Sequence, residues 1–265
     1  MIRLSARRTT RRAAAAACLA AALACAAAPE ERPAASGGEA TAPEATAPAA
    51  PSAAESEPEA GVGLPGPAEE EALPVVVFLG DSLTAGYGLA EEQAWPAVLE
   101  ERFAREGLPF RAVNAGVSGD TSAGGLRRLD WALRTRPDVI VVELGANEGL
   151  RGLELGPVEA NLRQVVARSR DAGARVLLVG LRIPPNYGPD YTRRFAEIFP
   201  RVAGELGVPL VPFLLDGVGG ESSLNLGDGV HPNVEGHRRV ADVVAPHLRP
   251  LVEAAVGHEA AAAGV

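Results

Sequence analysis

Short apolar runs and longer amphipathic segments alternate along the chain from about residue 73 onward. The short runs have the length and the Val and Leu content of buried strands, and the segments between them have the spacing of helices. Strands are predicted at residues 75–79, 110–114, 139–144, 175–181 and 208–212. Helices are predicted near residues 93–106, 122–135, 157–172, 190–206 and 235–254. Regular alternation of this kind predicts an α/β fold, a three-layer α/β/α sandwich around a five-stranded parallel sheet.

The first 72 residues have a different composition. Five arginines and no acidic residue occur within residues 1–12, and an apolar run of small residues follows at 13–28. This is the pattern of an export signal, so we predict a signal peptide over residues 1–25 and a periplasmic or cell-envelope location. Residues 26–72 are rich in Ala, Pro and Glu and are predicted to be a disordered linker. The folded domain is then predicted to be residues 73–254, with a flexible tail at 255–265.

Cys18 and Cys25 are the two cysteines of the chain, and both lie in the N-terminal segment. Cysteine chemistry is therefore excluded from the folded domain. The residues that end in Cys25 resemble a lipobox, in which this cysteine carries lipid and tethers the protein to a membrane as a lipoprotein. Ordinary signal cleavage at the same place is the alternative, and both remain open.

The charge balance limits the classes of partner. The chain has 25 basic and 34 acidic residues, which gives a net charge of -9. An acidic protein is unsuited to bind a phosphate backbone, so nucleic acid is not an expected partner.

A serine follows the first predicted strand, in the stretch Gly80-Asp81-Ser82-Leu83-Thr84. A tight strand-to-helix turn exposes the hydroxyl of Ser82 and places it at a helix N-terminus, where developing negative charge is stabilised. Ser82 is therefore a candidate nucleophile. The alternative is that Asp81 or Ser82 only caps the helix.

Glycine and asparagine follow the next two strands, at Gly116 and Asn147. Glycine lets a backbone N–H approach a substrate closely, and an asparagine amide is a neutral donor. The Ser82 N–H, Gly116 and Asn147 are therefore candidates for an oxyanion hole. Ordinary turn chemistry explains either residue when it is considered alone.

Asp228 and His231 lie three residues apart, directly before the last predicted helix. At this spacing the carboxylate can hold the imidazole in the orientation that a general base needs. Of the other three histidines, two fall inside the last helix and one in the tail, so His231 is the candidate base.

In combination, the stretches around Ser82, Gly116, Asn147 and His231 resemble the four motif blocks of the GDSL or SGNH hydrolase family. The resemblance covers about residues 73–252 and is strongest to the periplasmic thioesterase, lysophospholipase and arylesterase branch. It implies a flavodoxin-like SGNH hydrolase fold and a serine esterase that forms an acyl-enzyme with Ser82, Asp228 and His231. It implies no cofactor and no metal. The third block departs from the branch, because Ala146 and Glu148 stand where Gly and Asp are usual.

The loop after the fourth strand contains Pro184, Pro185, Asn186 and Tyr187. By resemblance it is the substrate-binding loop of the branch, and a plain proline-rich connection is the alternative. The expected substrates are small-molecule or lipid esters, including aryl, acyl and lysophospholipid esters, and thioesters. Two other functions remain open, an extracellular polysaccharide O-deacetylase and a catalytically silent binding module.

Overall fold

A computed structural model of the protein describes the backbone of residues 73–263 and the side chains of residues 73–257. The predicted signal peptide, the lipidation site at Cys25 and the predicted linker all lie outside the described residues. Within the described residues, no helix combines the length and the apolar character that crossing a bilayer requires.

Five parallel strands form one sheet in the order β2-β1-β3-β4-β5. The strands are β1 (Val75–Gly80), β2 (Arg111–Gly116), β3 (Val139–Glu143), β4 (Arg175–Val179) and β5 (Leu210–Val211). Gly80 pairs in register with Gly116 on one side and with Glu143 on the other. The carboxyl ends of the three central strands therefore meet at one edge, where ligands bind in sheets of this kind.

Seven helices flank the sheet within the described residues. They are α1 (Ser82–Ala85), α2 (Trp95–Arg105), α3 (Ser122–Leu133), α4 (Ala146–Leu150), α5 (Leu155–Asp171), α6 (Pro189–Leu206) and α7 (Val234–Ala263). Helices α3, α5 and α6 contact one another in sequence and form one layer, and α2 packs with α7 in the other. The predicted three-layer α/β/α sandwich is confirmed.

The last helix is longer than the sequence pattern predicts. It runs to Ala263, whereas we predicted its end at residue 254 and a flexible tail beyond. Val252 and Ala255 are fully buried, so this face of α7 still packs on the domain where the prediction ended it. Alanine is also the strongest helix former, which favours continuation of the helix through the Ala-rich sequence.

Burial of the sheet on both faces explains why the strands are continuous apolar runs in the sequence. Helices cover both faces of the sheet, so successive residues of β1 and β3 are buried regardless of which face they point to. An aromatic group packs beside β1, where Phe78 and Trp95 meet edge to face with ring centroids 5.0 Å apart. The indole Nε1 of Trp95 donates a hydrogen bond to the carbonyl of Leu83 at 3.0 Å. The core thereby supports α1, the short helix that follows β1.

Candidate active site

Ser82 is the first residue of α1, immediately after the end of β1. Asp81 caps this helix, because its Oδ1 accepts a hydrogen bond from the Leu83 N–H at 3.0 Å. A Cβ at Gly80 would lie 2.1 Å from Thr84 Oγ1, so the chain can turn this tightly only with glycine at that position. Capping and nucleophile are therefore assigned to different residues. Asp81 caps the helix, and the hydroxyl of the half-buried Ser82 is not needed for capping.

His231 and Asp228 approach Ser82 from the loop before α7. The His231 Nε2 lies 3.0 Å from Ser82 Oγ, and His231 Nδ1 lies 2.7 Å from Asp228 Oδ2. Asp228 Oδ1 also accepts the backbone N–H groups of Val230 and His231. The His231 backbone N–H above all, with the imidazole and the Val230 N–H, lowers the pKa of Asp228 to about 2. An ionised Asp228 favours the tautomer in which Nδ1 carries the proton and Nε2 faces the hydroxyl.

Tyr87 covers one face of the His231 ring. The two ring centroids are 4.5 Å apart, with an interplanar angle of 36°. Sequence reasoning did not single out Tyr87, since a tyrosine after a turn carries no signal that it will stack on a histidine elsewhere in the chain.

Asn147 lies in the first turn of α4 and lines the same cavity as Ser82 and His231. Its Nδ2 donates to Asp81 Oδ2 at 3.1 Å and to the Asp120 carbonyl at 2.8 Å. Both amide protons are therefore engaged in this structure, the longer of the two bonds being that to Asp81.

The two residues at which the third block departs from the family pattern have separate positions. Ala146 lines the cavity. Glu148 is buried, and its Oε1 accepts from the backbone N–H and the hydroxyl of Ser122 at 2.7 and 2.6 Å. Glu148 thus joins α4 to the start of α3.

Gly116 does not have the geometry expected of an oxyanion donor. Its N–H donates to Asn114 Oδ1 at 3.0 Å, and it does not line the cavity. A Cβ at this position would lie 2.2 Å from the backbone nitrogen of Ala85, so glycine is needed here for contact between β2 and α1. Its small size serves packing, and its N–H is already used.

Gly119, in the same loop, was missed by the sequence reasoning. No acceptor for its N–H is found among the described residues. It adopts a φ of +79°, and the next carbonyl, that of Asp120, contacts Asn147. The available signal was the Gly119-Asp120 pair shortly after β2.

Two buried carboxyl groups lie beneath the Ser82 turn. Glu143 Oε2 accepts from the Asp81 N–H at 3.2 Å and from Thr84 Oγ1 at 2.8 Å, while Glu143 Oε1 has no partner. Burial raises the pKa of Asp81 to about 6. Burial, and then the proximity of Asp81, raise the pKa of Glu143 well above its ordinary range. Burial therefore favours the protonated, uncharged form of Glu143.

A cavity of about 400 Å³ opens beside Ser82 and His231. Its wall away from these polar groups is mainly apolar, and the apolar side chains are Leu150, Leu181, Ile183, Pro184, Pro185, Phe213, Leu215 and Val230. Of the predicted substrate loop, the two prolines line the cavity, whereas Asn186 and Tyr187 do not. The Tyr187 hydroxyl instead donates to the Leu150 carbonyl at 2.6 Å and anchors the loop to α4.

The GDSL-like lipase/acylhydrolase family model matches residues 78–239, which include all of these groups. The chain belongs to this family. Esterase TesA of Pseudomonas aeruginosa is 43% identical over 69% of this chain and 92% of its own length. Thioesterase 1/protease 1/lysophospholipase L1 of Escherichia coli K12 is 41% identical over 68% of this chain and 86% of its own length. A crystal structure of TesA superposes with a TM-score of 0.65 and 44% identity, covering 67% of this chain and 99% of that one.

This GDSL-like hydrolase is a serine ester hydrolase, and its substrates are small-molecule esters. Within the described residues, no group of three or more His, Cys, Asp and Glu side chains is arranged to hold a metal ion.

Proposed function

We propose that Ser82, His231 and Asp228 form the catalytic triad and that the substrate is an ester or thioester with an apolar acyl chain. One observation carries the proposal. An unbroken chain of hydrogen bonds runs from Asp228 through His231 to Ser82, and it ends at an apolar cavity of about 400 Å³. Volumes of a few hundred Å³ are typical of small-molecule sites.

The mechanism follows from the roles that these distances allow. Ser82 Oγ attacks the acyl carbonyl while His231 Nε2 takes its proton, and Asp228 stabilises the imidazolium that forms. His231 then gives the proton to the leaving alcohol or thiol, which leaves the acyl group on Ser82. Water attacks this acyl-enzyme with His231 again as the base, which releases the acid and restores the serine.

The oxyanion hole in this proposal differs in one residue from the sequence prediction. The Ser82 N–H is in the first turn of α1, with no acceptor found among the described residues. We assign the other two donors to Asn147 Nδ2 and to the N–H of Gly119, in place of Gly116. Asn147 would exchange its longer bond, that to Asp81, for the substrate oxygen.

The cavity favours an acyl chain over an acetyl group. A polysaccharide O-deacetylase needs room for two carbons beside Ser82, whereas this cavity extends along apolar side chains of three loops. Burying an apolar chain there contributes about 0.8 kcal/mol per methylene group. The deacetylase is therefore the second candidate, and a silent binding module is the third.

The test is hydrolysis of p-nitrophenyl esters from acetate to long acyl chains, with the corresponding acyl thioesters in parallel. Ser82→Ala should abolish activity. Ser222→Ala, a change at an exposed serine with no hydrogen bond found among the described residues, should retain it. A preference for chains longer than acetate is expected. Activity on acetate alone would support the deacetylase, and a folded protein without activity on any ester would refute the catalytic proposal.

We also propose, from the sequence of residues 1–72 alone, that the protein is exported and that Cys25 carries a lipid tether. Intact-mass analysis of the full-length protein from a membrane fraction tests this. A mature chain that begins at Cys25 with added lipid mass is expected, and cleavage without added mass would refute the tether.

A further inference from the structure

Arg128, on α3, joins three segments that lead to the candidate active site. Its Nη2 donates to the carbonyl of Gly80 at 2.7 Å and its Nη1 to the carbonyl of Ala115 at 2.5 Å. Its Nε contacts Asp120 Oδ2 at 2.6 Å, and both of these side chains are mostly buried. One guanidinium group thus binds the end of β1, the end of β2 and the loop that follows β2.

The contact with Gly80 bears directly on Ser82. The Gly80–Asp81 peptide immediately precedes the serine, and Arg128 holds its carbonyl while Glu143 Oε2 accepts its N–H at 3.2 Å. A peptide group fixed at both its donor and its acceptor cannot rotate without breaking a buried hydrogen bond. The Gly80 carbonyl also accepts from the Val117 N–H at 3.0 Å, so these two side chains hold the turn that presents Ser82 together with one backbone hydrogen bond.

The contact with Asp120 bears on Asn147. The Asp120 carbonyl accepts from Asn147 Nδ2 at 2.8 Å, and its Oδ1 accepts from the Thr121 N–H at 2.8 Å. By holding Asp120, Arg128 therefore fixes the loop whose carbonyl accepts from the Asn147 amide. The same guanidinium sets where Ser82 and Asn147 lie relative to each other.

The first turn of α3 is built for this close approach. A Cβ at Gly124 would lie 1.6 Å from Asp120 Oδ1, and a Cβ at Gly125 would lie 2.2 Å from Leu144 Cδ1. Glycine inside a helix is unfavourable, so two in succession indicate that contact is gained in return. Gly124 is one turn before Arg128, on the same face of the helix.

We propose that Arg128 is a positioning residue for ester hydrolysis, which sets the geometry of Ser82 relative to Asn147 without contacting the substrate. The proposal rests on the proposed roles of these two residues. Arginine suits the task because its planar group offers several donors in fixed directions, whereas the ammonium group of lysine cannot reach two carbonyls and a carboxylate together.

The experiment compares Arg128→Lys and Arg128→Ala with Arg127→Ala in the full chain. Arg127 is the adjacent arginine, exposed and without a side-chain hydrogen bond among the described residues. For Arg128→Lys we expect kcat to fall about a hundredfold, because misplacement by about 1 Å costs that much. KM should stay within about threefold, since the apolar cavity is untouched. Arg127→Ala should match the wild type in both constants.

Rescue separates positioning from folding. Guanidinium ion added at millimolar concentration to folded Arg128→Ala should raise kcat, and methylammonium should not, because only the planar ion reproduces the donor directions. Circular dichroism and thermal unfolding are recorded for each variant. If Arg128→Ala does not fold, Arg128→Lys and Asp120→Asn decide the question.

Two results would overturn the proposal: a folded Arg128→Lys with wild-type kcat, or a loss that lies entirely in KM. Ser82→Ala is measured beside them. If that variant keeps its activity, the proposed triad has failed. If it is inactive while Arg128→Lys behaves as the wild type, the triad stands and the role of Arg128 alone is refuted.

Discussion

Replacing Glu143 by glutamine should stabilise the protein increasingly as the pH rises. Glu143 is fully buried, and one of its two carboxyl oxygens has no hydrogen-bond donor. Burial and the neighbouring Asp81 raise its pKa well above the ordinary value of 4.5, so the folded protein keeps the proton that the unfolded chain loses. Glutamine has the same shape, is neutral at every pH, and can accept from the Asp81 N–H and Thr84 Oγ1 as the glutamate does.

The sign and the size of the effect follow from proton linkage. Because the folded state binds one more proton than the unfolded state, the free energy of unfolding falls as the pH rises above 4.5. The fall continues until the folded-state pKa of Glu143 is reached, at about 1.4 kcal/mol per pH unit for one proton. Below that pKa, the wild type should lose stability steadily relative to Glu143→Gln as the pH rises.

Two other shifted groups titrate at lower pH. The pKa of Asp81 is raised to about 6, and burial lowers the pKa of His237 from 6.5 to about 4, so the two proteins are compared above all of these values. Urea denaturation at several pH values gives the free energy of unfolding for the wild type, Glu143→Gln and Glu101→Gln. Glu101 is exposed and serves as the control. Parallel pH dependences for the wild type and Glu143→Gln would refute the buried-proton argument.

Three other predictions concern single contacts. His237→Leu leaves the buried Trp95 N–H without its acceptor, 3.1 Å away in the wild type. It should lower the free energy of unfolding by about 1–3 kcal/mol in urea denaturation, and an unchanged value would contradict the contact. Asp228→Asn should lower kcat for p-nitrophenyl esters by a factor on the order of 10⁴, because the amide favours the wrong imidazole tautomer. A loss below tenfold would argue against Asp228 as the orienting acid. Leu215→Trp should move the chain-length optimum to shorter esters by filling the cavity, and an unmoved optimum would place the acyl chain elsewhere.

The sheet and the long helices could be predicted because buried positions are apolar and recur with the spacing of strands and helices. Strand β3 is buried along its whole length, and its run of Val and Ile is visible without a structure. Helices α1 and α4 have four and five residues, which is too short for a helical period to be recognised. Both helices begin at strand ends and carry candidate catalytic groups. The elements that hold the candidate site are therefore the ones that the sequence pattern does not predict.

The residues of the candidate site likewise fall into those that the sequence predicts and those that it does not. Ser82, Asp228 and His231 could be predicted as candidates because few residue types perform this chemistry and each lies in or beside a turn at the predicted edge. Gly116 was the predicted donor and Gly119 was not considered, because nothing in the local sequence shows which N–H of this segment is already used. That choice depends on the Asn114 side chain, whose acceptor geometry exists only in the folded chain.

Residues that position catalytic groups are harder to predict from sequence. Their residue types are common in any fold, and their partners are distant along the chain. Glu143 reads as the end of a strand, yet its partners Thr84 and Asp81 are 59 and 62 positions away. Arg128 reads as one of several helix arginines, yet it contacts Gly80, 48 positions away. A chain that kept every motif residue and changed these two would still match the family, and the peptide before Ser82 would keep only its hydrogen bond from the Val117 N–H. Membership of the family therefore predicts the reaction, whereas its rate depends on contacts that the motifs do not contain.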